Sequence, residues 1–236
     1  MTVRTGHFGF ELAAITLLLL GCCGQSGPEP RVRTPERKMA EESVNQPRVS
    51  MEAKALVETN KLVIDYAITN RDKQDIYLFD QMIAYSENEK SIDDESAYCF
   101  VDEPGTLRVV RATLRLPVEK EIRVAEIPYS RKVGTAETVR GRISLPVPVP
   151  ERHPYYPPPG ENNSKHVECD RVRLIIGWTE FKNGMNAMEV DVRGKKVVRI
   201  RGAWAAPYQH LLQQDIPLKV QAIAHTDTFD RQIPLQ

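Results

Sequence analysis

Lys61-Leu-Val-Ile-Asp-Tyr-Ala-Ile-Thr-Asn70 decides the fold. Leu62, Ile64, Tyr66 and Ile68 take every second place, Val63, Asp65, Ala67 and Thr69 stand between them, and Asn70-Arg71-Asp72 supplies a turn. Apolar residues recurring with a period of two mark a strand with one buried face. The pattern returns along the chain. Ile76–Asp80 and Met82–Tyr85 follow, then Val110, Ala112, Leu114 and Leu116 set against Arg111, Thr113 and Arg115, with Ile122 and Val124 continuing. Val139, Ile143 and Leu145 oppose Arg140, Arg142 and Ser144, and Val172, Leu174, Ile176 and Trp178 form the strongest inward row. Met188, Val190 and Val192 lead through Arg193-Gly194-Lys195 to Val198 and Ile200, a hairpin pattern, and Leu218, Val220, Ala222 and Ala224 close the set. About nine or ten short strands without crossover helices predict an all-β fold, an antiparallel β-sandwich rather than a βαβ sheet. Tyr208–Gln214 is the one stretch of this part with a helical reading.

Lys61–Asn70 followed by Ile76-Tyr77-Leu78 resembles a strand pair of immunoglobulin-like bacterial envelope domains. The resemblance spans about twenty residues. It implies an immunoglobulin-like sandwich and carries no activity with it.

The N-terminus reads differently. Leu12–Leu20 is an apolar run of nine residues, against the roughly twenty that a membrane-spanning helix needs. With Arg4 ahead of it and small Gly21 behind, it has the plan of a secretory signal peptide. Leu19-Leu20-Gly21-Cys22 resembles the lipobox of bacterial lipoproteins. That resemblance implies cleavage before Cys22, acylation of its thiol by fatty acids such as palmitate, and a bilayer anchor without a transmembrane helix. Stable anchoring takes two acyl chains, which a diacylglyceryl cysteine supplies. Cys23 in the following place is not the aspartate of inner-membrane retention, which favours the outer membrane in a source that has one. Ordinary secretory cleavage after a small residue is the competing reading. Residues 22–50 form a linker with Pro28, Pro30, Pro35 and Pro47, many charges and no aromatic residue, a composition that cannot bury enough apolar surface to order itself. The expected organisation is therefore a signal peptide over 1–21, a lipidated tether over 22–50 and a β-sandwich domain over 51–236.

Lys and Arg number 32 and so do Asp and Glu, for a net charge of zero, and the cations are scattered. Nucleic acid, which asks for a basic face, is not the expected partner. No Gly-rich phosphate loop, Gly-x-Ser-x-Gly elbow or His-Glu-x-x-His pair occurs, and no pattern calls for a cofactor or a metal ion. His166 and Cys169, with His153, His210 or His225, match no strong metal spacing, and the acidic loop at Asp93, Asp94 and Glu95 lacks the glycine of a calcium loop.

Cys99 and Cys169 are the two thiols of the folded part. Export into an oxidising compartment allows a disulfide between them, whereas the apolar setting Ala97-Tyr98-Cys99-Phe100-Val101 suits a buried free thiol. Pro146–Gly160 holds seven prolines around His153, Tyr155 and Tyr156. It reads either as a stiff segment presented to a partner or as a crossover loop packed on the sandwich. Trp178 belongs to the core row, while Trp204 lies among turn-like residues. The expected function is that of a membrane-anchored lipoprotein whose sandwich binds another envelope component, a protein, through the Pro/Tyr loop or an exposed sheet edge. A hydrolase using His153, His166, Asp170 and His210, or a purely structural envelope subunit, are the alternatives.

Overall fold

A computed structural model describes residues 48–86, 89–102, 105–117, 119–122, 125–181, 185–201 and 209–226. The signal peptide, Cys22, Cys23, most of the linker and Trp204 lie outside the described residues. Thirteen strands run in chain order: β1 (Val49–Glu58), β2 (Lys61–Asn70), β3 (Ile76–Ser86), β4 (Glu89–Asp93), β5 (Tyr98–Asp102), β6 (Thr106–Arg111), β7 (Tyr129–Val133), β8 (Thr138–Pro146), β9 (Val149–Pro150), β10 (Ser164–Glu180), β11 (Asn186–Val192), β12 (Lys195–Arg201) and β13 (His210–His225). A 3-10 turn, Glu161–Asn163, precedes β10.

The fold is an all-β sandwich. One sheet has three antiparallel strands in the order β1-β2-β8. The other has ten, ordered β11-β12-β7-β3-β10-β13-β9, with β4 on β3, and with β6 on β10 carrying β5. Strand β10 organises this larger sheet. One flank pairs with β13 from Ser164 to Trp178, while the other takes β6 in parallel over Arg171–Ile176 and then β3 antiparallel over Trp178–Glu180. The β6–β10 and β9–β13 pairings are parallel, a departure from the purely antiparallel expectation.

Strands exceed the nine or ten expected because β1, β4, β5 and β9 are short, charged or weakly patterned. Strand β1 begins at Val49. The helical reading of Tyr208–Gln214 gives way to strand from His210 onward, since Leu212, Gln214, Ile216 and Leu218 extend the inward row of β13 toward the second sheet.

The main core lies between the sheets. Leu62, Ile64 and Ile68 of β2 and Ile143 of β8 have no exposed surface, and they meet Leu107, Val172, Leu174 and Ile176 of the larger sheet. Cutting one such Leu or Ile to Ala leaves a cavity and costs about 2–5 kcal/mol. The larger sheet is covered on its other face too. Tyr98, Phe100, Val110, Ala112, Leu114 and Ile175 form a second cluster there, so β5 and β6 are apolar at consecutive positions. Two hairpins close with left-handed residue pairs, Thr59-Asn60 at φ 41° and 64° and Arg193-Gly194 at φ 54° and 80°. Each lies between directly paired residues, Glu58 with Lys61 and Val192 with Lys195, the geometry of a two-residue turn whose twist matches the strands.

Candidate functional site

Arg111 ends β6 at a place where alternation predicts a solvent-facing side chain, yet it is only 2% exposed. All five of its N–H donors are used. Nε donates to the Ser96 carbonyl at 2.9 Å, Nη1 to the Tyr66 hydroxyl at 3.0 Å and to the Asp80 carbonyl at 3.3 Å. Nη2 donates to the carbonyls of Asp94 and Arg142, the latter at 3.2 Å. A guanidinium with five fixed donors suits such a meeting of backbones, and a lysine could not reproduce it.

Beside it the pairing of β3 with β7 is irregular. The β3–β7 register shifts between Leu78 and Gln81, and Asp80 falls in that irregularity with no exposed surface. The Tyr66 hydroxyl donates to Asp80 Oδ2 at 3.1 Å, Gln81 Nε2 donates to Oδ1 at 3.0 Å, and Arg131 forms an ion pair with the same carboxylate. Burial, and then the Asp80 carboxylate, hold the Tyr66 phenol well above its ordinary ionisation range, so it stays a neutral donor. Tyr66 reaches this position across Gly141, its direct partner on β8. A Cβ on residue 141 would lie 2.2 Å from the ring, so only glycine fits.

These residues form the wall of a cleft of about 380 Å³. It is bounded by β8 at Arg140–Arg142, β12 at Lys195–Val197, β7 at Ser130 and Arg131, and the turn at Asp94 and Glu95. Six cations line it (Arg111, Arg131, Arg140, Arg142, Lys195 and Lys196) against three carboxylates (Asp80, Asp94 and Glu95). Among the described residues its lining holds neither histidine nor cysteine. Such a set can hold a negative charge through directed N–H groups.

The residues expected from sequence are placed elsewhere. His153 is buried, its Nδ1 accepts the Tyr155 N–H at 3.0 Å, and its ring meets those of Phe100, Tyr155 and Tyr156 edge-on. The Tyr155 hydroxyl accepts the Glu126 N–H at 2.9 Å, and Lys120 sits 4.0 Å over the Tyr156 ring. The Pro/Tyr loop is thus packed onto the domain, and β9 within it pairs with β13.

Cys99 and Cys169 are both buried free thiols, and the disulfide reading does not hold. Register explains why: Cys99 is level with Val109 of β6, which is level with Leu174 of β10, five residues beyond Cys169. Two strand spacings and five residues of rise set them well over the ~7 Å limit between bridged Cα atoms. Burial pushes the Cys99 thiol up to about 12 and the Cys169 thiol up to about 11.

His166 lies exposed in β10 rather than in a loop, and pairs with Ile223, while His210 pairs with Trp178 at the far end of the same ladder and stacks on its indole at 4.6 Å. Twelve residues of strand separate these two rungs, roughly 40 Å, so His166 and His210 share no pocket. Among the described residues no group of three or more His, Cys, Asp and Glu is placed to hold a metal ion. No family model, curated protein or solved structure matches the chain.

The sequence reading missed the cleft. Its signal was present in Thr106-Leu-Arg-Val-Val-Arg-Ala-Thr-Leu114, where Leu107 and Val109 occupy one parity and Val110 and Ala112 the other. A strand apolar at both parities is covered on both faces, and an arginine inside it must be buried and satisfied.

Proposed function

We propose that the chain is a lipid-anchored protein of the bacterial cell envelope, cleaved before Cys22 and acylated there, whose sandwich binds a partner protein by strand addition at β1. In a source with two membranes the anchor is in the outer one. The observation that carries the reading is the free flank of β1. Among the described residues that strand pairs with β2 alone, and Leu56 and Val57 at its end are each 42% exposed. The Arg71 N–H donates to the Arg48 carbonyl, so pairing alternates to leave the N–H and C=O of Ala53, Ala55 and Val57 on the outer side. Those of Ala53 are taken by Gln214, and beyond it no hydrogen bond between described residues reaches the flank. An extended segment added there would gain main-chain hydrogen bonds and cover two large apolar side chains, with Lys54 and Glu58 selecting its charges. The packing of His153, Tyr155 and Tyr156 leaves the edge as the better candidate of the two surfaces expected from sequence.

Intact mass after purification from bacterial membranes tests the anchor, and photo-crosslinking from residue 55 in intact envelopes tests the edge. The reading expects a chain starting at Cys22 with added acyl groups, and a crosslinked protein that disappears in the Leu56→Arg, Val57→Arg double variant. An unacylated chain removes the anchor; a crosslink indifferent to the two arginines removes the edge.

A further inference from the structure

The cleft between β8, β12 and β7 holds more positive charge than its own carboxylates neutralise. Every donor of Arg111 ends on a carbonyl or a phenol, so no carboxylate touches that guanidinium directly. Its nearest linked anion is Asp80, reached through Tyr66, and Asp80 is already paired with Arg131. Two guanidiniums therefore share one carboxylate, that of Arg111 buried in the wall and that of Arg131 partly open to solvent, and the residual charge faces the cleft. Arg140 adds a further cation with no ion pair among the described residues. Arg142, Lys195 and Lys196 are paired with Asp65, Asp94 and Glu189, but those pairs are exposed and weakly held, so their cations can turn to a stronger anion.

A second, independent observation points the same way. Ser130 is fully buried and lines the cleft, yet its Oγ has no hydrogen-bond partner among the described residues, and neither has the buried Nε of Arg131 beside it. Buried polar atoms without partners are rare in folded proteins, and two adjoining ones in the wall of a cationic cleft mark a place for an acceptor from outside. A hydroxyl, a guanidinium N–H and several converging cations match a group with several oxygens and more than one negative charge. We infer that this cleft binds the phosphate group of a small ligand, with Ser130 and Arg131 as fixed donors and Arg140, Arg142, Lys195 and Lys196 closing over it. The volume suits a small molecule or a lipid headgroup and not an extended polymer. Glu95, on the rim, opposes binding. The site is separate from the β1 edge and stands whether or not that edge has a partner.

Calorimetric titration of the full-length chain, kept free of acyl groups by Cys22→Ser, with inorganic phosphate, and its sedimentation with phosphatidylcholine vesicles with and without phosphatidic acid, whose phosphomonoester carries more than one negative charge, test the inference. Saturable binding of phosphate marks a soluble ligand; sedimentation only with the anionic vesicles marks a headgroup. In either case Ser130→Ala, which removes a hydroxyl the fold does not use, should weaken binding by about tenfold with the melting temperature unchanged or raised. Arg140→Gln should weaken it further and Glu95→Gln should strengthen it. No binding to either probe, or binding that these three substitutions leave unmoved, would overturn the site.

Discussion

The side-chain amide of Gln214 accepts the Ala53 N–H at 2.8 Å and donates to the Ala53 carbonyl at 2.9 Å, acting as a one-residue strand between sheets that no strand joins there. Gln209 does the same for Thr113, accepting its N–H at 3.0 Å and donating to its carbonyl at 2.7 Å. Glu151 extends the device in another form, its buried carboxylate taking the N–H groups of Val101 and His225.

Replacing either glutamine with leucine keeps the bulk and removes both bonds. Gln214→Leu should cost about 1–2 kcal/mol, since the Ala53 groups are partly wet and can turn to water. Gln209→Leu should cost more, because Gln209 and Thr113 are buried and the stranded groups stay dry. Urea midpoints of the two variants check the order; equal losses would contradict it.

Arg111→Lys should destabilise by about 3–5 kcal/mol, nearly as much as Arg111→Met, because one ammonium cannot serve five acceptors on separate segments. Rescue by lysine to near wild-type stability would show that charge alone is needed at this position.

Gly141→Ala drives a methyl into the Tyr66 ring and should cost about 1–3 kcal/mol. In a Tyr66→Ala background the same change should cost far less. Chemical denaturation of the two singles and the double measures the coupling, and additive losses would count against it.

Burial raises Glu126 above its ordinary 4.5, with the Tyr98 hydroxyl bonding its carboxyl at 3.1 Å. The folded chain therefore holds this proton more tightly than the unfolded one, and stability falls as pH rises from the ordinary value through the raised one. Glu126→Gln should melt higher than the wild type at pH 7, with the gap closing at pH 4 and below. A gap independent of pH would trace the effect to shape instead.

Both thiols should resist a disulfide reagent at pH 8 in the native state and react together in denaturant, since burial disfavours each thiolate. Reduction should leave the melting temperature unchanged. A drop on reduction would reinstate the bridge.

The sandwich was legible where one face of a strand is wet. Leu62, Ile64 and Ile68 of β2, Val139, Ile143 and Leu145 of β8, and Val220, Ala222 and Ala224 of β13 all point inward as their alternation predicts. Legibility fails where both faces are covered. Cys99 and Phe100 are adjacent and both buried, in opposite clusters, so period two carries no sign there. The cleft was harder still. Tyr66, Asp80, Arg111, Ser130 and Arg142 come from five strands, and their convergence depends on a register shift in β3 and on a glycine that matters only because a ring crosses it. None of those relations is local in sequence.

Arg111 gives the molecule an internal proof of assembly. Its acceptors sit at Tyr66, Asp80, Asp94, Ser96 and Arg142, so the strands on both sides of the sandwich must be in register before the guanidinium is satisfied. Until then an unpaired cation sits in the interior, and the cleft it supports has no wall. Binding competence and correct folding therefore arrive as one event, and a chain with any one of those segments misplaced is blind to the ligand.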